Sequence, residues 1–273
     1  MRKSTFGFAA FATVAALGMG VGQASDATLV ADGFSYADGQ LTDSLHLGVP
    51  GDNVSGGLWV GHSGTTFDDN IQVAGGQAIL NNPGSEDANR LLGTTLGAAD
   101  TLYYATKFTV DSLGTNNNVN DDYFIHFKDA GFGFVGRVSV RDTATGDYQL
   151  GIQAGSNFGT NSGVDLTFGT EHTAVVKWDN ATGTATLWVD PVDELSASVS
   201  HTDANRIGTS VVAIALRQDF FTTGGVDSNT ISVNGVGVAT TFGEAFAASM
   251  VPEPASLALL GLGGLAMLRR RTA

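Results

Sequence analysis

The sequence predicts an all-β protein whose body is a two-sheet antiparallel β-sandwich. Three observations favour this fold class. Apolar residues recur with a period of two in short runs, Gly, Asn and Asp separate these runs, and the body lacks the roughly 10–15-residue amphipathic patterns of helices that cover a parallel sheet. Short strands at this spacing form either two packed sheets or a barrel, and we favour the sandwich.

The first 24 residues have the three parts of a secretory signal peptide. Arg2 and Lys3 precede an uncharged apolar stretch at 6–19, and small residues at 22–24 form a cleavage site. The 14 residues of that stretch are fewer than the ~20 that a membrane-spanning helix needs. We therefore expect a helical signal at 1–24 that is removed on export, followed by a β-sandwich domain at 25–248.

The body is strongly acidic and contains no cysteine. Residues 26–244 carry 26 acidic and eight basic side chains, which gives a net charge of −18. Phosphate backbones repel such a polyanion, so nucleic acid is not an expected partner. The missing cysteines exclude disulfides, thiol catalysis and zinc thiolate sites, and the hydrophobic core must therefore hold the body together.

A hairpin in the second half of the body is the clearest pair of strands. The strand at 175–178 is followed by a turn at 179–183 that contains Gly183. The returning strand alternates, with Ala185 and Leu187 on one face and Trp188 on the other. Further strands are predicted at 101–110, 123–128, 136–141, 148–153, 211–217 and 230–238.

One tetrapeptide, Asp-Ala-Asn-Arg, occurs twice, at 87–90 and at 203–206. The two copies could be paired ligand-contacting turns. Alternatively, both could be corners where a turn enters a strand and the Asp and Asn side chains bond to the backbone. We favour the second interpretation because the flanking residues do not match.

No catalytic arrangement stands out in the body. Its four glutamates are isolated in the sequence, whereas a glycosidase needs two carboxylates roughly 5–10 Å apart. Its histidines are scattered without a metal-binding spacing. We therefore expect no enzyme activity. These residues are Glu86, Glu171, Glu194 and Glu244, and His46, His62, His126, His172 and His201.

Two weaker patterns concern ligands. Asn118, Asn120 and Asp122 alternate in a predicted loop, and such oxygens can surround Ca²⁺, although a solvated turn is the favoured interpretation. No other cofactor is expected. Large aromatic side chains could stack on sugar rings or belong to the core, and the core is favoured. They are Trp59, Trp178, Trp188, Tyr123 and Tyr148.

The C-terminal tail combines three features in a fixed order. Pro252, Glu253 and Pro254 precede an uncharged stretch of 14 residues at 255–268, and the arginine cluster Arg269, Arg270 and Arg271 follows. A helix of this length spans roughly 21 Å, less than the ~30 Å hydrocarbon core of a bilayer. The arginines would stay on the cytoplasmic side.

This order resembles the PEP-CTERM sorting signal of Gram-negative bacteria. The resemblance implies a sorting tail at 249–273 whose short transmembrane helix holds an inner-membrane intermediate only transiently. It also implies that an exosortase, a membrane-embedded protease, cuts near the motif after the secretion machinery has exported the chain. The body would then reach the cell surface or the extracellular matrix, in association with exopolysaccharide.

The body resembles jelly-roll sandwiches of the concanavalin A and laminin-G type. The resemblance rests on Asp-Gly-Phe-Ser-Tyr at 32–36, Gly-Gly-Leu-Trp at 56–59 and Leu-Trp-Val-Asp-Pro at 187–191. With the tail, it leads us to expect an exported, non-catalytic surface or matrix protein that is adhesive or associated with polysaccharide. Two alternatives stay open: a secreted glycan-active hydrolase, and a purely structural matrix protein.

Overall fold

The computed structural model describes residues 28–42, 54–56, 58–63, 70–81, 84–113, 122–143, 146–155, 159–218 and 230–250. The strands in these ranges are β1 (Thr28–Asp32), β2 (Gly39–Gln40), β3 (Val60–Ser63), β4 (Gln72–Ala74), β5 (Gln77–Asn81), β6 (Asp87–Leu91), β7 (Thr101–Ser112), β8 (Asp122–Lys128), β9 (Phe134–Asp142), β10 (Tyr148–Gln153), β11 (Thr160–Asn161), β12 (Glu171–Asp179), β13 (Thr184–Val189), β14 (Ser198–Thr202), β15 (Ala213–Arg217) and β16 (Thr230–Ala239). One α-helix, α1 (Phe242–Ser249), follows the last strand.

The strands form two antiparallel sheets, which confirms the predicted fold class. Sheet A has the order β14-β13-β12-β7-β16-β5-β4-β2, and β1 pairs with the free end of β16. Sheet B has the order β11-β10-β9-β8-β15-β6-β3. Every strand pair in the described residues is antiparallel.

The core lies between the two sheets. Because side chains alternate across a strand, one half of each strand's residues points into this layer. Its largest fully buried members include Trp59, Trp178, Tyr104, Phe108 and Phe124. The ring of Tyr104 meets that of Phe127 edge to face at 4.9 Å, an arrangement that adds to the burial of apolar surface.

The predicted strands are present, with shifts of a few residues at their ends. The returning strand of the hairpin is β13, and its Leu187 points into the core while Trp188 points to the opposite face, as predicted. The strand predicted at 211–217 begins later, at Ala213. The signal peptide lies outside the described residues, as does the predicted sorting tail after Met250. Ser249, predicted as the first residue of the tail, is the last residue of α1. Within the described ranges, no helix is long and apolar enough to cross a membrane.

The segment 32–36, which carried part of the resemblance, organises the start of the sandwich. The Asp32 carboxylate accepts hydrogen bonds from the indole of Trp59 at 2.8 Å and the phenol of Tyr36 at 2.7 Å, and it forms an ion pair with Arg90. It also accepts the backbone N–H of Phe34, which adopts a left-handed φ of 52°. This buried charge is therefore compensated by several partners, as a buried carboxylate must be.

The two Asp-Ala-Asn-Arg copies adopt different structures, so the prediction of two equivalent corners is wrong. The first copy begins β6, between β15 and β3 of sheet B. The second forms an exposed 3-10 turn, in which the Asp203 side chain caps the N–H of Asn205. Tertiary pairing decides the outcome, because β6 has a partner strand on each side.

Helix α1 packs on the outer face of sheet A, which buries both faces of the central strand β16. Phe242 and Ala245 of the helix join Tyr103, Val175 and Trp188 of the sheet in a second apolar cluster. Glycine in β16 permits the close approach: a Cβ on Gly237 would lie 2.2 Å from the carbonyl oxygen of Ala245.

Replacing this glycine should separate helix and sheet. We expect Gly237→Ala to lower the free energy of unfolding by roughly 1–3 kcal/mol, because the new methyl group overlaps the backbone of α1. The matched control is Gly243→Ala on α1 itself, where a Cβ meets nothing within 4 Å and should be neutral or stabilising by up to about 1 kcal/mol. Chemical denaturation of both variants measures the difference; equal stabilities would contradict this packing.

Candidate functional site

The outer face of sheet B, which points away from sheet A, carries a dense set of polar and aromatic side chains. On β9, Val138 and Val140 point into the core, so Arg137, Ser139 and Arg141 point outwards. The same alternation on the neighbouring strands completes a set of side chains that we call the cationic face. Its members are Asp87, Asn89, Tyr123, His126, Lys128, Phe134, Arg137, Ser139, Arg141, Gln149, Gln153 and Arg217. Tyr123, Phe134, Arg137, Arg141 and Gln149 are half-buried, and the other members are at most 9% exposed, so a ligand can reach the face directly through the half-buried members.

The cationic face concentrates positive charge in an acidic body. Four of the eight basic residues of the body lie on it, namely Lys128, Arg137, Arg141 and Arg217. Among the members named above, Asp87 has the one carboxylate. Two further carboxylates adjoin the described part of the face: Asp165 accepts a 2.7 Å hydrogen bond from Gln149, and Asp129 interacts electrostatically with Lys128. The face is therefore locally positive at neutral pH although the body as a whole is negative.

Two guanidinium groups lie against one tyrosine ring at the centre of this face. The Arg137 guanidinium carbon lies 4.6 Å from the Tyr123 ring centroid, and that of Arg217 lies 4.5 Å from it. Arg137 also lies 5.4 Å from the ring of Phe134. These distances permit cation–π attraction, which orients both guanidinium groups. The two positive charges are consequently no more than about 9 Å apart.

Asp87 holds one side of the cluster. Its carboxylate lies 3.8 Å from Nε of Arg217 and 3.9 Å from Nε2 of His62, and it accepts a 2.6 Å hydrogen bond from the Ser63 hydroxyl. All four side chains come from three adjacent strands, β3, β6 and β15. Asp87 thereby fixes Arg217 while neutralising only part of the local positive charge.

His126 is fully buried beneath the arginines. Its ring centroid lies 4.4 Å from that of Phe134 and 5.2 Å from that of Tyr123. Nδ1 lies 3.1 Å from the carbonyl oxygen of Phe127, so we assign the proton to Nδ1 and a lone pair to Nε2. Nε2 has no hydrogen-bond partner among the described residues.

Both histidines of the cluster are neutral at pH 7. Burial lowers the pKa of His126 well below its ordinary value, and the neighbouring Arg137, His62 and Arg217 lower it further. Burial, with a contribution from Lys128, lowers the pKa of His62 to about 4. Desolvation disfavours the charged form of a base, and nearby cations act in the same direction.

Exposed apolar side chains border the cationic face at one end. Phe132 is 74% exposed, and its ring lies 6.3 Å from that of Phe134 in an edge-on arrangement. Leu91, at the end of β6, is 66% exposed. An exposed aromatic ring beside hydrogen-bond donors is the combination that binds the apolar face and the polar groups of a sugar.

Among the aromatic residues weighed for sugar stacking, the core interpretation is confirmed for four. Trp59, Trp178, Trp188 and Tyr148 are buried, whereas Tyr123 lies half-buried on the cationic face. Asp190 and Glu194 lie close together in the sequence but bind different partners. Asp190 accepts from Thr173 and lies 2.7 Å from His172, while Glu194 accepts from the phenol of Tyr103.

The predicted calcium loop and the sorting motif are mostly outside the described ranges. Asn118 and Asn120 lie there, as do Pro252, Glu253, Pro254, Arg269, Arg270 and Arg271. Asp122 was placed in the loop, but its backbone begins β8 and pairs with Val140. Calcium binding stays a prediction. In the described part of the chain, no three metal-ligating side chains come together.

A model of the PEP-CTERM protein-sorting motif matches residues 251–271, which confirms the predicted sorting signal. No curated protein matches the chain. Among solved structures, the seed lectin of Lotus tetragonolobus is 11% identical, with a TM-score of 0.43 over 67% of this chain and 92% of the lectin. An alginate lyase from Klebsiella pneumoniae is 9% identical, with a TM-score of 0.48 over 77% of this chain and 97% of the lyase. These similarities do not indicate what this chain binds.

The lowered pKa of His62 predicts a pH-dependent stability. The unfolded chain takes up a proton near the ordinary pKa of 6.5, while the folded chain does so only near pH 4. Stability is therefore lost as the pH falls through this window, by up to ~1.4 kcal/mol per pH unit for this group. Burial raises the pKa of Glu86, so this residue makes stability rise as the pH falls. Its contribution is the same in the parent protein and in the His62→Gln variant.

We expect His62→Gln to flatten the decline of stability between pH 6.5 and pH 4 relative to the parent protein. Denaturant titrations at several pH values measure both slopes. Two parallel curves would show that His62 is not desolvated in the folded protein.

Proposed function

We propose that this chain is a surface or matrix protein of a Gram-negative bacterium that binds an acidic polysaccharide through the cationic face. The sorting motif makes it an exported protein that an exosortase processes. The observation that carries the ligand class is the concentration of Lys128, Arg137, Arg141 and Arg217 on one face of a body with a net charge of −18. Its adhesive role in an exopolysaccharide matrix follows from this binding.

An acidic sugar polymer fits the site better than other anions do. Its carboxylates match the oriented guanidinium groups of Arg137 and Arg217, because arginine donates two parallel hydrogen bonds to a carboxylate. Its sugar rings match the exposed ring of Phe132. It carries one charge per sugar, whereas duplex DNA carries one per ~1.7 Å and would be repelled more strongly by the acidic body. Salt screens that repulsion beyond about 8 Å.

Removing positive charge from this face should weaken binding. We expect Lys128→Gln/Arg137→Gln to reduce the affinity for a polyuronate on the order of hundredfold, since each charge-assisted hydrogen bond contributes ~1.5–3 kcal/mol and ~1.4 kcal/mol is tenfold. Isothermal titration of the mature body measures the loss.

The matched control is Lys107→Gln/Lys177→Gln. Both lysines lie on the outer face of sheet A, where Lys107 pairs with Glu171 and Lys177 lies over Tyr103, and the change in net charge is the same. This variant should bind as the parent does. Equal losses in the two variants would mean that net charge alone controls binding, and the proposal would fail.

Exosortase processing has its own test. We expect replacement of Pro252, Glu253 and Pro254 by alanine to leave the full-length chain in the inner-membrane fraction, because the protease loses its recognition motif. Immunoblotting of membrane and secreted fractions measures the distribution. Normal release of the variant would contradict this assignment. Val192→Ala, at a position that is 90% exposed, serves as the processing control.

A specific observation favours a second candidate function, eliminative cleavage of the same polymer. Neutral His126 contacts Tyr123, whose phenol lies against two guanidinium groups. These cations would neutralise a uronate carboxylate and acidify the C5–H bond. Tyr123 would accept that proton, because His126 is fully buried and cannot reach the polymer. The electron pair of the C5–H bond would form the C4–C5 double bond, and the C4–O bond would break while its oxygen takes up a proton.

Absorbance of the new double bond in the ultraviolet distinguishes the two functions. A pure binding protein leaves the absorbance of a polyuronate solution unchanged. An eliminating enzyme raises it, and Tyr123→Phe abolishes the rise while leaving polymer binding largely intact. A rise that survives in Tyr123→Phe would exclude this site as its source.

A further inference from the structure

The described part of the body ends over the centre of sheet A, on the side opposite to the cationic face. Ser249, the last residue of α1, is 1% exposed, and a Cβ on Gly235 would lie 2.2 Å from its carbonyl oxygen. Gly235 is in the middle of β16, which has three strands on one side of it in the sheet order and four on the other.

The helix that brings the chain to this point is packed along its length. Phe242 meets the rings of Tyr103 and Trp188 at 6.4 and 5.4 Å, and Ala245 lies against Gly237. Ala248 is 7% exposed. The segment before the sorting motif is therefore part of the folded body.

The tether between the body and the apolar stretch is short. Five residues, 250–254, separate Ser249 from the stretch that begins at Ala255. From Ser249 to Ala255 there are six residue steps, which reach at most ~22 Å when fully extended. To reach the cationic face, the chain would first have to pass an edge of sheet A. It could do so across three strands, at ~4.8 Å each, or along about four residues of β16, at ~3.3 Å each. It would then have to cross the ~10 Å between the sheets. This path is longer than the tether even without the side chains.

We infer that the membrane-tethered precursor holds sheet A towards the membrane and the cationic face away from it, so that it binds acidic polymer before the exosortase releases it. The inference concerning polymer rests on the proposed function, whereas the orientation rests on the geometry of α1 and on insertion of the tail. Cleavage then releases a body already bound to the matrix polymer.

The absence of cysteine allows a direct test of orientation. Single cysteines are placed at Ala247, exposed on α1, and at Phe132, 74% exposed beside the cationic face, in the full chain with Pro252, Glu253 and Pro254 replaced by alanine. Each protein is labelled with a fluorophore at its single cysteine and reconstituted into phosphatidylcholine vesicles. We expect a headgroup quencher in the lipid to quench the Ala247→Cys label several-fold more than the Phe132→Cys label. Equal or reversed quenching overturns the orientation.

Polymer binding is measured on the vesicles that carry the Ala247→Cys protein, in which the cationic face and Phe132 are unaltered, and on the natural cleavage product. We expect dissociation constants for a polyuronate that agree within about twofold. Binding by the released body together with a tenfold or greater loss in the tethered chain overturns the inference while leaving the proposed function intact. Failure of both forms to bind, with the expected quenching pattern, overturns the proposed function and leaves the orientation standing.

Discussion

The apolar layer between the two sheets is the constraint on which the other features depend. The body carries a net charge of −18 and has no disulfide, so burial of residues such as Trp59, Trp178 and Tyr104 must hold it together. Strand alternation allows this layer to form while every second side chain of sheet B points outwards. The cationic face is therefore a direct consequence of how the core is built.

Strand β16 extends the same constraint to the second face of sheet A. Its valines point into the core, while Gly235 and Gly237 leave room for the backbone of α1 on the other side. The helix occupies the outer surface of sheet A and brings the sorting tail there. The two outer surfaces of the sandwich thus differ in role: one is joined to the tail, and the other presents the charged cluster.

Much of the fold follows from the sequence because local signals agree with the tertiary structure. The alternation in 184–189 gives the correct faces of β13. The sequence also carries a start signal for α1, because Thr241 and Glu244 have the spacing of a capping box. In the structure, the Thr241 hydroxyl accepts the Glu244 N–H at 3.4 Å. The site is harder to predict. His62 and His126 are far apart in the sequence, and both lie near the ring of Phe134 only because sheet B orders its strands as β8-β15-β6-β3. The composition gives the number of histidines, whereas only the pairing of the strands brings these two close together.

The central claim is that acidic polymer binds the outer face of sheet B. Hydrogen–deuterium exchange of the mature body, with and without a polyuronate, locates the contact directly on the chain. We expect slower exchange in β8, β9 and β15 and unchanged exchange in β13, β14 and α1. Protection confined to sheet A, or none at saturating polymer, would contradict this claim.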